Sequence, residues 1–142
     1  MPSSAETTAQ RCRHYRCDLG LPAVIMPETE TRIIVQTGPV GAVVVPSKLA
    51  TEFVAEQSGP LGPVIEHPAS RRWTFLTEPS GPCPENLTPA LLRWNIGVAS
   101  KYIVLPSPDD ERHGFRRWIH KPRNGFRPST REILEAVLRL RR

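Results

Sequence analysis

The chain has 142 residues and a formal net charge of +5 at pH 7, a length that predicts one domain with room for a hydrophobic core. It contains no run of about 18 apolar residues, which excludes a membrane-spanning helix, and its three cysteines are irregularly spaced, which argues against a secreted disulfide framework. The N-terminal segment lacks a basic and then apolar signal region, so we expect a cytoplasmic protein.

Basic residues concentrate in the second half of the chain. Residues 1–70 carry 5 basic and 7 acidic side chains, whereas residues 71–142 carry 14 basic and 7 acidic ones. This asymmetry favours a phosphate backbone or an acidic protein as partner. An arginine-rich surface that only keeps the protein soluble would give the same composition.

The first half of the chain predicts two helices and several short strands. Thr7 or Thr8 is a helix N-cap, and Cys12, Tyr15 and Leu19 share one face of the helix that follows. The predicted elements are disordered residues 1–6, this helix up to Leu19, an apolar run Ala23–Met26, strands Arg32–Gln36 and Gly41–Val45, and a helix that Pro46 opens and that ends near Gln57.

The densest β-type chemistry lies in Pro63–Leu76. Its β-branched and aromatic residues flank a turn that contains proline and serine, which predicts a strand, a turn and a second strand. We expect the rest of the chain to be arranged around this pair of strands.

The second half of the chain predicts a helix at Thr88–Trp94, with Leu91 and Leu92 facing inward, and a helix that begins at Ser129. Ser129 and Glu132 form the S-x-x-E pattern of a capping box. The remaining predicted elements are loop Glu78–Pro84, strand Lys101–Leu105, polar loop Pro106–Gly114, strand Phe115–His120 and a basic connection Lys121–Pro128.

These elements together predict an α+β fold. We expect residues 1–142 to form a single domain, with a mixed or antiparallel sheet of about six strands packed against two or three helices. Residues 129–142 would be an amphipathic, basic helix, because its arginines cluster at the C-terminal end, where the helix dipole favours cations.

A zinc site is the first chemistry to weigh, since Cys12, His14 and Cys17 lie within six residues. Cys83 is a further thiol, but the pattern C-x-H-x-x-C lacks the paired C-x-x-C of structural zinc modules. On a helix, Cys12 and His14 would point about 200° apart. We interpret the three as structural or surface residues, and we predict no metal and no cofactor.

Catalytic patterns are sparse. His67, His113 and His120 are candidate bases, but the chain has no G-x-S-x-G nucleophile turn, no Walker loop and no G-x-G-x-x-G. The acidic run Asp109-Asp110-Glu111 offers oxygens to a divalent cation, although such runs are more often solvated turns. An enzyme with an unrecognised site around one of the three histidines stays open as an alternative.

Arginines alternate with aromatic residues in two predicted strands. In Arg71–Phe75, Arg72 and Thr74 lie on one face and Trp73 and Phe75 on the other. In the second strand, Arg116 and Trp118 share a face and Arg117 lies opposite. Sheets that bind single strands combine cationic grooves with stacking aromatics; alternatively, the aromatics are core and the arginines face water.

The same segments resemble the N-terminal domain of bifunctional DNA primase/polymerases. Residues 66–75 (E-H-P-A-S-R-R-W-T-F) are similar to that family's T-x-S-G-G-x-H-x-Y-F turn and strand. Residues 100–108 (S-K-Y-I-V-L-P-S-P) resemble its G-G-Y-V-V-A-P-P-S strand and loop, and residues 114–118 (G-F-R-R-W) its G-x-x-Y-x-W. The resemblance covers roughly residues 31–120, and it implies that the Trp73 and Tyr102 segments lie in a common sheet.

The chain departs from that family where its catalysis resides. The family's acidic D-x-D pair follows a hydrophobic strand, but here Gly41–Val45 runs into Pro46-Ser47-Lys48. The family's nucleotide-binding histidine becomes Arg72, and its paired glycines become Ala69 and Ser70. Two-metal phosphoryl transfer needs carboxylates to hold the cations. The resemblance therefore implies a pseudoenzyme that has lost polymerase chemistry.

The leading hypothesis from the sequence is a non-catalytic, primase/polymerase-like protein that binds DNA, RNA or a nucleotide through a basic sheet face. An interaction or regulatory subunit that docks on an acidic protein is the alternative, and no membrane partner is expected. The predicted nucleic-acid-binding residues are Arg71, Arg72, Trp73, Lys101, Arg116, Arg117, Trp118 and Lys121.

Overall fold

A computed structural model describes residues 6–81, 84–123 and 125–141. Most of the segment 1–6, which was predicted to be disordered, and the further thiol of Cys83 lie outside these ranges; the exception is Glu6, which has a defined position and pairs with Arg11. In the described part of the chain, the fold is α+β, as predicted, with two antiparallel sheets and five α-helices. No helix in these ranges is both long enough and apolar enough to cross a membrane.

The larger sheet has five strands in the order β6-β3-β5-β4-β8, and the smaller has three in the order β1-β2-β7. The strands are β1 (Val24–Ile25), β2 (Ile33–Gln36), β3 (Gly41–Pro46), β4 (Val64–His67), β5 (Arg72–Thr77), β6 (Gly97–Val98), β7 (Tyr102–Leu105) and β8 (Arg117–His120).

The helices divide between the two ends of the chain and the connections between strands. They are α1 (Thr8–Cys17), α2 (Ser47–Glu56), α3 (Thr88–Arg93), α4 (Pro108–His113) and α5 (Thr130–Arg139), with a 3-10 turn at Glu85–Leu87. Thr7 caps α1 as predicted, with a reciprocal bond from Gln10. Ser129 caps α5, where its hydroxyl accepts the N–H of Glu132.

The five-stranded sheet separates two hydrophobic clusters. One face, which carries Val43 and Phe75, packs against α2, α3 and α5. The other face, which carries Ala42, Ile65 and Leu76, packs against α1 and the three-stranded sheet. Because β5 is the central strand, its side chains contribute to both clusters, so this strand organises the molecule.

The predicted strand pair is confirmed. β4 and β5 are antiparallel neighbours, with Val64 opposite Phe75 and His67 opposite Arg72. The turn between them ends at Arg71, whose φ is 56°. Left-handed backbone costs a residue with a Cβ about 1 kcal/mol or more, and glycine or asparagine would be the usual choice.

A pair of buried hydroxyls fastens α5 to the sheet. The Oγ1 atoms of Thr77 and Thr130 lie 2.7 Å apart, and the N–H of Thr130 donates to the carbonyl of Glu78. Gly41 lies beside this pair, and a Cβ at position 41 would come within 2.7 Å of Thr77 Oγ1. The close approach of the two threonines therefore requires glycine at position 41.

Four local expectations are wrong. The β-structure divides into two sheets instead of one, because Ile33–Gln36 pairs with Tyr102–Leu105 and not with the larger sheet. Leu92 is 76% exposed while Leu91 is buried. Pro46 ends β3 and precedes α2 instead of opening it. The segment Pro106–Gly114 contains α4, because Ser107 caps it and Gly114 ends it in a left-handed conformation.

The division into two sheets also corrects an expectation drawn from the primase/polymerase resemblance. Trp73 lies in β5 of the larger sheet, whereas Tyr102 lies in β7 of the smaller one. The two segments do not share a sheet. They face each other across the space between the sheets, where residues of both line one cleft.

Candidate functional site

The predicted binding residues do not form one open basic face. Arg116 pairs with Asp110 at 3.1 Å, and Arg117 pairs with Glu66 on the neighbouring strand. Trp73 packs against the helix-side cluster. The indole N–H of Trp118 donates to the hydroxyl of Tyr15 at 2.9 Å, and the two rings meet edge to face. These four side chains stabilise the fold, because their charges and rings already have protein partners.

A small cleft opens between the two sheets, at the edge where β4 ends and β5 begins. Its volume is about 210 Å³, and it lies between the His67–Arg72 end of the larger sheet and the start of β7. The polar and aromatic groups that line it are His67, Ser70, Arg72, Thr74 and Tyr102. Away from this end, the space between the sheets is filled by apolar side chains.

Among the residues that the structure describes, Arg72 is the only charged side chain that lines the cleft. Its Nη2 donates to the carbonyl of Asn95 at 2.7 Å and makes a longer contact with that of Val44, at 3.4 Å. Neither acceptor carries a charge, and no carboxylate of the described residues pairs with this guanidinium. Arg72 is thus held in place by the main chain while its positive charge stays available to an anion.

His67 contributes a neutral imidazole to the cleft. Its Nε2 lies 2.7 Å from the hydroxyl of Thr74. Burial, and then the positive charges of Arg116 and Arg72, lower the pKa of His67 to about 4. At neutral pH this ring can therefore donate or accept a hydrogen bond without adding charge.

Exposed cations and an exposed ring stand beside the lining. Arg71 and Lys101 each precede a lining residue in the chain, and both are exposed. Tyr102 is 42% exposed although it belongs to a strand. An aromatic ring next to unpaired cations is the combination that single-stranded nucleic acids and nucleotides use, for stacking and for phosphate contacts.

The three carboxylates of the acidic run Asp109-Asp110-Glu111 each form an ion pair with an arginine. Asp109 pairs with Arg112 at 2.9 Å and Glu111 with Arg11 at 2.8 Å, while Asp110 caps the start of α4 and pairs with Arg116. Within the described ranges, no three metal-ligating side chains are close enough to hold an ion.

The candidate zinc ligands Cys12, His14 and Cys17 lie in different surroundings. Cys12 is buried, where burial raises the pKa of its thiol, and Cys17 is exposed. The Nδ1 of His14 contacts Asp18 at 2.7 Å.

The other two histidines offer little to a catalytic site. His113 is exposed, contacts Asp109 one turn earlier and stacks on Phe115. His120 is exposed at the end of β8. Of the three candidate bases, His67 lines the cleft between the two sheets, where its hydrogen-bond partner is the hydroxyl of Thr74, and His120 borders a separate groove.

A network of ion pairs and hydrogen bonds around α1 was not predicted from the sequence. Arg11 on α1 pairs with Glu6 and Glu111, and Tyr15 donates to the carbonyl of Pro106 at 2.5 Å. This network borders a cavity of about 490 Å³. The four-residue spacing of Arg11 and Tyr15 on a helix was the available signal, but the partners come from residues about 100 positions away.

The chain was compared with models of protein families, with curated proteins and with solved structures, and none of the three comparisons found a match.

Proposed function

We propose that the protein binds single-stranded nucleic acid, without catalysis, in the cleft between its two sheets. A phosphate would lie against Arg72, a base would stack on Tyr102, and Arg71 and Lys101 would contact neighbouring phosphates. We place this activity in the cytoplasm, as the cysteine content suggests.

The observation that carries the proposal is the state of Arg72. Arg116 and Arg117, at the start of β8, are neutralised by carboxylates, but among the described residues Arg72 is positioned by main-chain carbonyls alone. A guanidinium that is fixed before binding loses little entropy when a phosphate arrives.

The backbone at Arg71 supports the same proposal. A glycine there would relieve the left-handed conformation, yet the position carries a cation. Strained residues concentrate at ligand sites, where the side chain compensates for the cost.

Kinship with the primase/polymerase family has one observation on each side. The meeting of Ser70, Arg72 and Tyr102 in one cleft supports it, and the separation of their strands into two sheets opposes it. A family-like pseudoenzyme is therefore part of this proposal, but the binding proposal stands without it.

The alternative of a protein-docking surface on α5 has less support. Ile133, Leu134, Val137 and Leu138, which form the apolar face of α5, are buried against the sheet. This face is therefore not available to a partner.

The test is the binding of a fluorescent single-stranded oligonucleotide over a salt series. We expect Arg71→Ala combined with Lys101→Ala to weaken binding about tenfold at low salt, and to reduce the salt slope by about 0.7 for each phosphate contact removed. The control combines Arg13→Ala with Arg131→Ala, which removes the same charge from exposed positions on α1 and α5.

Tyr102→Ala should weaken binding further, by about 1–3 kcal/mol for a stacked base. Equal losses in the control and the cleft variant would mean that only net charge matters, and the proposal would fail. A free nucleoside triphosphate that competes as well as the oligonucleotide would narrow the ligand to a nucleotide.

A further inference from the structure

A second concave surface lies at the opposite end of β4 from the cleft. It is a groove of about 520 Å³, and the side chains that matter for its chemistry are Pro60, Leu61, His120, Lys121, Arg123 and Phe126. Its floor comes from the proline- and glycine-rich segment before β4, and its basic rim comes from the end of β8 and the residues that follow.

The groove is basic throughout. His120, Lys121 and Arg123 are exposed, and none of them forms an ion pair with a described residue. No aspartate or glutamate contributes to the lining. These groups differ from Arg116 and Arg117, only a few residues earlier, whose charges are neutralised.

Phe126 sets the side on which an anion would lie. Its side chain is 42% exposed and borders two cavities. The second cavity, of about 290 Å³, is lined by Glu132, Glu135 and Arg139 of α5. Because that cavity has two carboxylates beside its one cation, whereas the groove has His120, Lys121 and Arg123 and no described carboxylate, an anionic ligand is favoured on the His120 side.

We propose that this groove holds a second stretch of the nucleic acid strand, with phosphates at Lys121 and Arg123 and a base against Phe126. This inference rests on the proposed function for the kind of ligand, and it adds that the ligand is an oligonucleotide. An exposed aromatic among unpaired cations supplies stacking and phosphate contacts together.

The register of β4 defines the relation of the two sites. His67 at the cleft end and Val64 at the groove end are three residues apart, a length of about 10 Å along a strand. His120 lies opposite Val64. A mononucleotide therefore occupies one site at a time, whereas an oligonucleotide reaches both.

The experiment compares two ligands, a mononucleotide and a single strand of about 20 nucleotides, which exceeds the site of a small binding domain. We expect Lys121→Ala combined with Arg123→Ala to weaken binding of the long strand about tenfold at low salt, to lower its salt slope by about 1.4, and to leave mononucleotide binding within about twofold. The Arg13→Ala and Arg131→Ala control should retain the full slope.

Two further variants separate charge from stacking. Lys121→Arg combined with Arg123→Lys keeps both charges, so this variant should show the salt slope of the unmodified protein. Phe126→Leu keeps an apolar side chain but removes the ring, so it should weaken binding of the long strand. Circular dichroism of each variant checks that the fold is retained.

The outcomes distinguish the two proposals. If the groove variant binds the long strand as tightly as the unmodified protein while the cleft variant does not, the groove is not a site and the proposed function stands. If only the groove variant loses affinity, the cleft proposal fails and the groove remains. If the groove and control variants lose equally, the groove inference is overturned.

Discussion

Two arginine pairs that look alike in the sequence have opposite fates in the structure. Arg71-Arg72 leads into β5 and Arg116-Arg117 leads into β8, and in each case the second arginine is the first residue of the strand and a tryptophan follows it. Arg116 and Arg117 are paired with Asp110 and Glu66. Arg72 contacts only carbonyl oxygens, and Arg71 is exposed on a turn.

The difference teaches that the surroundings of an arginine decide its role. A guanidinium whose charge is matched by a carboxylate holds elements together, and it must lose that partner before it can bind phosphate. A guanidinium that is oriented by the main chain keeps its charge for a ligand. Three of the next four predictions change an arginine of this comparison or its carboxylate partner, and the other changes His67, which lies beside Arg72 in the cleft.

The largest effect is expected at Asp110. Its carboxylate is 11% exposed, it pairs with Arg116, and it accepts the N–H of Ser107 at the start of α4. Asp110→Ala leaves Arg116 unpaired, and we expect it to lower the free energy of unfolding by about 3–4 kcal/mol. Urea denaturation measures this.

Asp110→Asn is the matched control, since an amide oxygen can still cap the helix. It should cost about half as much. If Asp110→Ala lowers the free energy of unfolding by less than about 1 kcal/mol, the Asp110–Arg116 pair is an ordinary surface ion pair. Arg116 would then have no structural role to contrast with the binding role of Arg72.

Acid should weaken the fold through His67. The pKa of His67 is lowered to about 4 in the folded protein, below the value near 6.5 of an unfolded chain. As the pH falls from about 6.5 to 4, the unfolded state gains a proton that the folded state resists, so stability decreases, by about 2 kcal/mol. The contribution becomes constant only well below pH 4, where both states carry the proton.

His67→Gln should flatten that part of the stability curve, because glutamine keeps a partner for Thr74 and does not titrate. The unmodified protein, measured in parallel, is the control. The measurement is urea denaturation at intervals between pH 7 and pH 4. An unchanged slope in His67→Gln would show that another group is responsible.

Arg72→Gln and Arg116→Gln should fail in different ways. We expect Arg72→Gln to weaken oligonucleotide binding about tenfold, or about 1.4 kcal/mol, with little change in stability. Arg116→Gln should lower stability by about 2 kcal/mol and affect binding less. Fluorescence anisotropy and urea denaturation of the same samples report both quantities. The reverse pattern would contradict the roles assigned to the two residues.

The smallest effect is expected at Glu66. Glu66→Gln releases Arg117, whose side chain is 64% exposed in the pair, so the loss of stability should stay below about 1 kcal/mol. The freed charge should strengthen oligonucleotide binding about twofold to threefold at low salt. Glu28→Gln, which removes a charge from an exposed position away from the cleft and the groove, is the control. A gain of equal size in both variants would reflect net charge alone.

Local patterns were sufficient to predict much of the fold. The Thr7 cap, the strand pair around the Pro68–Arg71 turn and the apolar face of α5 all follow from neighbours within a few residues. The helix α4 could have been predicted as well, since Ser107-Pro108 and Gly114 are start and stop signals. The acidic run between them was interpreted as a solvated turn because its polarity was weighed above its caps.

Contacts between distant residues could not be predicted. The pairing of Ile33 with Leu105 joins positions 72 apart. Neither strand carries a sequence signal that specifies which strand it pairs with, so the division into two sheets could not be predicted. The same holds for the site. Alternation placed Arg72 and Trp73 on opposite faces of β5, as the structure has them, but only the folded chain brings Asp110 to Arg116 and leaves Arg72 without a described carboxylate.

Position 41 controls how the C-terminal helix is held, because its lack of a side chain leaves room for the paired hydroxyls of Thr77 and Thr130. A methyl group there must push aside Thr77 or Thr130, and α5 would then have to shift or detach while the strand pair beneath it stays intact. We therefore expect Gly41→Ala to let α5 unfold separately, at a lower temperature than the sheet. This substitution replaces a single hydrogen by a methyl group.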